Sequence, residues 1–204
     1  MTVVFQYNQE QAVTSGEGGY ISQSGAYTGR ITYAKWAKTQ NGAKGLELSI
    51  ETDEGLKANY ITIFHTKIDG SPNQYGQAHI NAIMGILGLQ NLTAVQRGND
   101  YICQELKEKQ IGLVLQKVLR TKQDGSDTYK FEIIVPFHPQ TRQTLKEKVE
   151  QESAERVGKI LTTLSDKDER ETKQQAYGQT PPPPQRQTPQ QAAPVDDIDD
   201  DIPF

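Results

Sequence analysis

Near Ser165 the chain changes character, and that change bounds everything it can fold into. Before it, apolar residues recur steadily. After it come charged residues, glutamines and the run Pro181–Pro184, with seven of the ten prolines lying from Pro181 onward. A segment so poor in apolar side chains buries too little surface to offset its ordering entropy, so residues 165–195 are expected to form a disordered Gln/Pro-rich linker. A flexible chain of that length has a root-mean-square reach of roughly 30 Å, more where proline stiffens it. The foldable part is the stretch before Ser165, enough for one domain with an appendage.

That part shows strand periodicity. Tyr27 to Lys38 is β-branched and aromatic enough for a first strand, and Gln40-Asn-Gly-Ala-Lys-Gly45 supplies turn chemistry. Leu46, Leu48 and Ile50 then alternate with Glu47, Ser49 and Glu51, a half-buried strand. After a turn at Asp53-Glu-Gly55, residues 56–67 predict a third strand. Over 74–89 the period switches: Ile80, Ile83, Met84 and Leu87 share one side of a helix that Gly88 can terminate. Residues 90–110 are ambiguous, with Tyr101 to Leu106 readable as a short strand or a helical turn. Ile111 to Arg120 and Thr128 to Phe137 predict a hairpin about Gln123-Asp-Gly-Ser126, with Tyr129, Phe131 and Phe137 on its core face.

Strand, strand, strand, helix, strand, strand resembles the OB-fold, a five-stranded barrel with its helix between the third and fourth strands. The expectation is therefore a mainly β, OB-fold-like domain over 1–139. One helix is expected over 140–164, carrying an interrupted apolar stripe of Leu145, Val149, Val157, Ile160, Leu161 and Leu164. That stripe suits packing on the barrel or self-association into a homo-oligomer; its polar middle and Gly158 speak against a long coiled coil.

Charge and cysteine usage narrow the class. The chain carries 26 acidic against 22 basic residues, but five of the acids crowd into positions 196–201. The body is thus nearly neutral, and any nucleic-acid site must rest on local cations plus stacking. Cys103 is the single cysteine, which fits a reducing compartment, and the start carries neither a basic leader nor a long apolar segment. A cytoplasmic protein without a membrane span is expected. No metal, cofactor or catalytic set emerges: His65, His79 and His138 are scattered, and Gly16-Glu-Gly-Gly19 lacks the strand and helix that make a phosphate cradle. A non-enzymatic protein is the expectation.

Single-stranded nucleic acid asks for cations along the phosphates and flat side chains under the bases. The first strand and its turn supply Arg30, Tyr33, Lys35, Trp36, Lys38 and Lys44. Simple alternation puts Trp36 out of phase with Ile31 and Tyr33, hence outward unless a bulge intervenes; the alternative is a Trp capping the barrel end. The third strand adds Lys57, Tyr60, Phe64 and Lys67, with Tyr60 and Phe64 open to stacking or core roles. The last hairpin adds Lys117, Arg120 and Lys122, with Lys130 beside them. With a near-neutral body, binding should weaken with salt on a modest slope.

The final residues are Asp196, Asp197, Ile198, Asp199, Asp200, Asp201, Ile202, Pro203 and Phe204. An acidic run ending on an apolar tip suits a basic-rimmed hydrophobic pocket on another protein. Asp199 to Phe204 resemble the C-terminal tip of bacterial single-stranded-DNA-binding proteins residue for residue. The body lacks that family's opening Asn-x-Val/Ile and Gly-Arg-Leu motifs, and is more similar to the divergent single-stranded-DNA-binding proteins of bacteriophages. The resemblance implies a strand-coating protein of replication, recombination and repair. Its 196–204 tip would recruit host or phage nucleases, helicases, primosome proteins or a clamp-loader subunit. An adaptor or decoy that occupies tail-reading host proteins without touching DNA is the alternative.

Overall fold

The computed structural model describes residues 6, 7, 9 and 19–170; the expected tail at 196–204 and the linker beyond 170 lie outside the described residues. The described chain runs β1 (Gly25–Lys38), β2 (Lys44–Thr52), β3 (Lys57–Thr66), α1 (Gln74–Leu87), β4 (Val95–Arg97), β5 (Asp100–Ile102) and a 3-10 turn at Gln104–Leu106. It continues through β6 (Gln110–Thr121), β7 (Asp127–Phe137), α2 (Leu145–Glu150), α3 (Arg156–Thr163) and β8 (Lys167–Asp168). The five long strands and the intervening helix fall where alternation placed them. The ambiguous stretch resolves into both alternatives, a β4–β5 hairpin and then a helical turn.

β1 organises a mainly β, eight-stranded sheet. One edge of β1 pairs with β2, which pairs with β3; the other edge is divided, Gly25–Arg30 against β6 and Lys35–Trp36 against β5. β6 pairs onward with β7, and β8 joins it in parallel at Val118–Leu119. β3 and β7 lie side by side with no shared ladder, so the expected closed five-stranded barrel is not formed. The helix α1 explains the gap. Asn73 Nδ2, at its N-cap, donates to Phe64 O on β3 at 2.8 Å, and His79 Nε2 lies 3.1 Å from Ile134 O on β7. Backbone carbonyls on both strands thus face side chains of α1 and its N-cap rather than each other. Gly76 permits this approach: a Cβ there would sit 1.8 Å from Phe64 O.

Ile31, Leu46, Leu48, Ile61, Leu113 and Leu115 from the strands meet Ile80 and Ile83 of α1 in the main core, each such burial worth about 1.5–3 kcal/mol. Gly88, at φ 68, closes α1 in the left-handed conformation expected of it. A bulge in β1 changes which side chains face this core. Ile31 pairs with Ile50 but Tyr33 with Ser49, leaving Thr32 extra. Beyond it Ala34 is buried and Trp36 packs on the core, while Tyr33 faces out at 39% exposure. The outward placement of Trp36 is therefore corrected.

The single helix over 140–164 is also corrected to two. Gln151, at φ 55, ends α2, and buried Glu147 joins the pair. Its carboxylate accepts from Thr144 N at 2.8 Å, Thr144 Oγ1 at 2.9 Å, Glu155 N at 2.9 Å and Arg156 N at 2.7 Å. Val157, Ile160, Leu161 and Leu164 then cover Val114 and Phe137 on the second face of the sheet, while Val149 is 72% exposed. The apolar stripe of α3 is thus occupied within the chain. Phe137 reaches this second cluster because the β6–β7 register shifts between Val114 and Leu115; Phe131 stays in the main core, and Tyr129, expected there, is 42% exposed.

The boundary placed at 165 moves as well. Ser24 Oγ donates to Asp166 at 2.6 Å, Gln116 donates to Ser165 O at 2.9 Å, and Glu169 N to Leu119 O at 3.0 Å. Backbone and side-chain bonds of this kind outweigh the poor hydropathy that marked 165–170 as linker. Arg170 then pairs with Asp127 at the base of the β6–β7 turn.

Candidate functional site

Where β3 and β7 do not pair, a groove of about 440 Å³ opens on the outer surface. β3 supplies Tyr60, Thr62 and Phe64; the first turns of α1 supply Asn73, Tyr75 and His79; the β6–β7 hairpin supplies Arg120, Lys130 and Glu132. Phe131 and Ile133 form its base.

The aromatic rings are presented by local backbone features. Leu48 pairs with Ile61 but Ile50 with Ala58, so Asn59 and Tyr60 bulge opposite Ser49. Tyr60 sits there at φ 61 with its side chain 75% exposed. A left-handed tyrosine costs about 1–2 kcal/mol relative to ordinary backbone, and such strain collects at functional sites. Phe64 is 38% exposed beside Gly45, whose ladder position offers no side chain to cover the ring. Tyr75, 64% exposed, tilts against His79 with ring centroids 4.3 Å apart. His79 is itself fixed, Nδ1 lying 2.9 Å from Tyr75 O and Nε2 3.1 Å from Ile134 O.

The cations differ in availability. Arg120 forms no ion pair with a described residue, and Lys130 Nζ lies 2.5 Å from Glu132. Lys38, Lys44 and Lys67 are exposed, form no described ion pair, and gather at the β1–β2 turn, where Lys38 pairs with Lys44 in the ladder and Lys44 with Thr66. A second groove of about 660 Å³ there shares Phe64 with the first. Phe64 thus stands between two grooves, with exposed cations beyond each. Lys57 and Lys122 are exposed farther out, at the start of β3 and in the β6–β7 turn.

The remaining expected contacts are engaged in the fold. Arg30 lies 3.7 Å from Glu51 and 3.6 Å from Glu108; Lys35 lies 3.7 Å from Glu47 and 3.1 Å from Asp100. The Asp100 hydrogen bond holds the Lys35 ammonium above its ordinary pKa, and burial, then Asp100, pushes the Tyr33 phenol up. Lys117 donates to Ser22 O at 2.8 Å and sits 4.8 Å over the Tyr129 ring. Trp36 donates its indole N–H to Thr93 O at 3.0 Å and meets His65 edge-on, centroids 5.6 Å apart. Burial, then Lys44, lowers the pKa of His65. These residues order the body. They do not line the seam.

Tyr75, His79 and Glu132 belong to the groove yet had no place among the sequence candidates. The Tyr75/His79 spacing of one helical turn was the available signal, since residues four apart on a helix share a face. Among the described residues no group of three or more His, Cys, Asp or Glu side chains could hold a metal, and no helix is long and apolar enough to cross a membrane. Burial pushes the Cys103 thiol up to about 12, too high for a thiolate nucleophile near neutrality. Comparison with known protein families and with characterised proteins finds no match to this chain.

Proposed function

We propose that this chain is a non-catalytic single-stranded-DNA-binding protein of phage replication, recombination or repair, built on an open variant of the OB-fold. The observation that carries the reading is the seam groove, where exposed Tyr60, Phe64 and Tyr75 rings stand beside Arg120 and Lys130. Rings of this kind accept bases at roughly 1–3 kcal/mol each, and Arg120, which forms no ion pair with a described residue, stands beside them to meet the linking phosphates. The element order supports the same reading, with the helix between the third and fourth long strands. Acid pairing of Arg30 and Lys35 limits the phosphate contacts at β1, so stacking carries much of the affinity.

In this proposal the tip from Asp199 to Phe204 recruits replication and repair enzymes, as its resemblance to the bacterial tip implies. A titration of full-length protein and a chain ending at Ala193, each with labelled single- and double-stranded oligonucleotides, tests both parts. Binding of single strands by both proteins, with partner capture by the full-length chain alone, is expected. Failure of both to bind any oligonucleotide, with capture retained, would replace this reading by the adaptor or decoy.

A further inference from the structure

Among the described residues, Glu132 is the one acidic side chain lining the seam groove. Its Oε1 faces Lys130 Nζ at 2.5 Å, and no described residue donates to its second oxygen. The neighbouring Asn73, Thr62 and His79 side chains are engaged within the fold, which leaves the Tyr60 and Tyr75 hydroxyls and Arg120 as the other polar groups facing the groove. Asn73 Nδ2 donates to Phe64 O at 2.8 Å, Thr62 Oγ1 to Tyr60 O at 3.4 Å, and both His79 ring nitrogens face carbonyl oxygens. A flat ring entering among Tyr60, Phe64 and Tyr75 therefore meets an ionised acceptor with spare lone pairs.

Resting on the DNA-binding reading above, we infer that Glu132 makes the groove selective for bases that carry an exocyclic amine. A carboxylate repels phosphate, so the backbone lies toward Arg120 while base edges face Glu132. Cytosine N4 and adenine N6 each present an N–H donor, and guanine presents N1–H beside its amine. Thymine offers a single N–H flanked by two carbonyl oxygens, which face a carboxylate unfavourably. Bases of a single strand expose these Watson–Crick edges, so a protein acceptor can read them. A good polar pairing to a base edge gives about 1–3 kcal/mol of discrimination.

The test compares oligo-dC with oligo-dT, pyrimidines of similar stacking area, by anisotropy at fixed salt. Wild-type protein is expected to hold oligo-dC at least about fivefold more tightly, the lower end of that discrimination. Glu132→Gln, whose amide can rotate to serve either base, should bring the ratio close to one. A third oligomer of N4,N4-dimethylcytosine removes the donors without altering the protein, and should bind wild type as oligo-dT does. Equal affinity for oligo-dC and oligo-dT in wild type, or a dC preference unchanged by either replacement, overturns the inference while leaving DNA binding intact. Binding of none of the three overturns the DNA reading and this inference together.

Discussion

Tyr60→Gly separates the binding role of the groove from its contribution to stability. Tyr60 has a left-handed backbone at φ 61 and a 75% exposed ring. Removing that ring gives up little buried surface. Glycine relieves about 1–2 kcal/mol of backbone strain and costs about 0.5–1 kcal/mol in strand entropy. The net change runs from about zero to about 1.5 kcal/mol in favour of glycine, or no more than about 6 °C in Tm for a domain of this size. Binding should respond differently, because one stacked base is lost. A deficit of about 1–3 kcal/mol corresponds to roughly 5- to 150-fold weaker affinity for a single-stranded oligomer. Anisotropy titration and thermal unfolding of Tyr60→Gly beside Tyr60→Ala give the two readouts. Glycine should be at least as stable as alanine here, the reverse of an ordinary strand position. Affinity within twofold of wild type, or a Tm for Tyr60→Gly well below that of Tyr60→Ala, refutes the reasoning.

Other predictions follow from residues of the body and the groove. Arg120→Gln should reduce the log–log salt slope of single-strand binding by about 0.7, the contribution of one phosphate contact, as measured by titration across a salt series. Trp36 emission should be insensitive to added oligonucleotide, because the indole packs on the core and donates to Thr93 O; strong quenching would return Trp36 to the site. Burial raises the Glu147 pKa, but its donors outweigh that and hold it below the ordinary glutamate value. Its stabilisation is therefore present above the unfolded value and lost as pH falls through the folded one. Thermal unfolding should show that acid-side loss in wild type and its absence in Glu147→Gln, which at neutral pH should be less stable by about 1–3 kcal/mol. Gly112→Ala would place a Cβ 2.1 Å from the Phe137 ring and should cost about 1–3 kcal/mol in chemical denaturation.

The sequence made strand order legible because apolar alternation along β2 and the β6–β7 hairpin is regular, and Gly88 marked the end of α1. Side-chain direction was less legible wherever a bulge intervened. Thr32 inverts inside and outside along the rest of β1, so Trp36 and Tyr33 exchange the roles that unbroken alternation assigns them. Asn59–Tyr60 and the β6–β7 shift act likewise on β3 and β7. A bulge is an accommodation between two strands, and one strand's pattern carries little trace of it. The groove was half legible: Tyr60, Phe64 and Arg120 were candidates, but Tyr75, His79 and Glu132 join them only because α1 wedges between β3 and β7. Charge availability was not legible, since the acids that hold Arg30 and Lys35 come from other strands and loops.

The last described residues have a mechanical consequence. β8 runs parallel to β6 and leads toward the β6–β7 turn, where Arg170 is anchored to Asp127 and Asp168. Traction applied through the chain beyond residue 170, along the direction of β8, enters the body as shear parallel to β6. The ladder bonds, the Asp166 contacts to Ser24 and Lys117, and the Arg170–Asp127 ion pair would share that load rather than peel one after another. A pull entering at residue 170 would therefore load the side of the sheet that carries the hairpin.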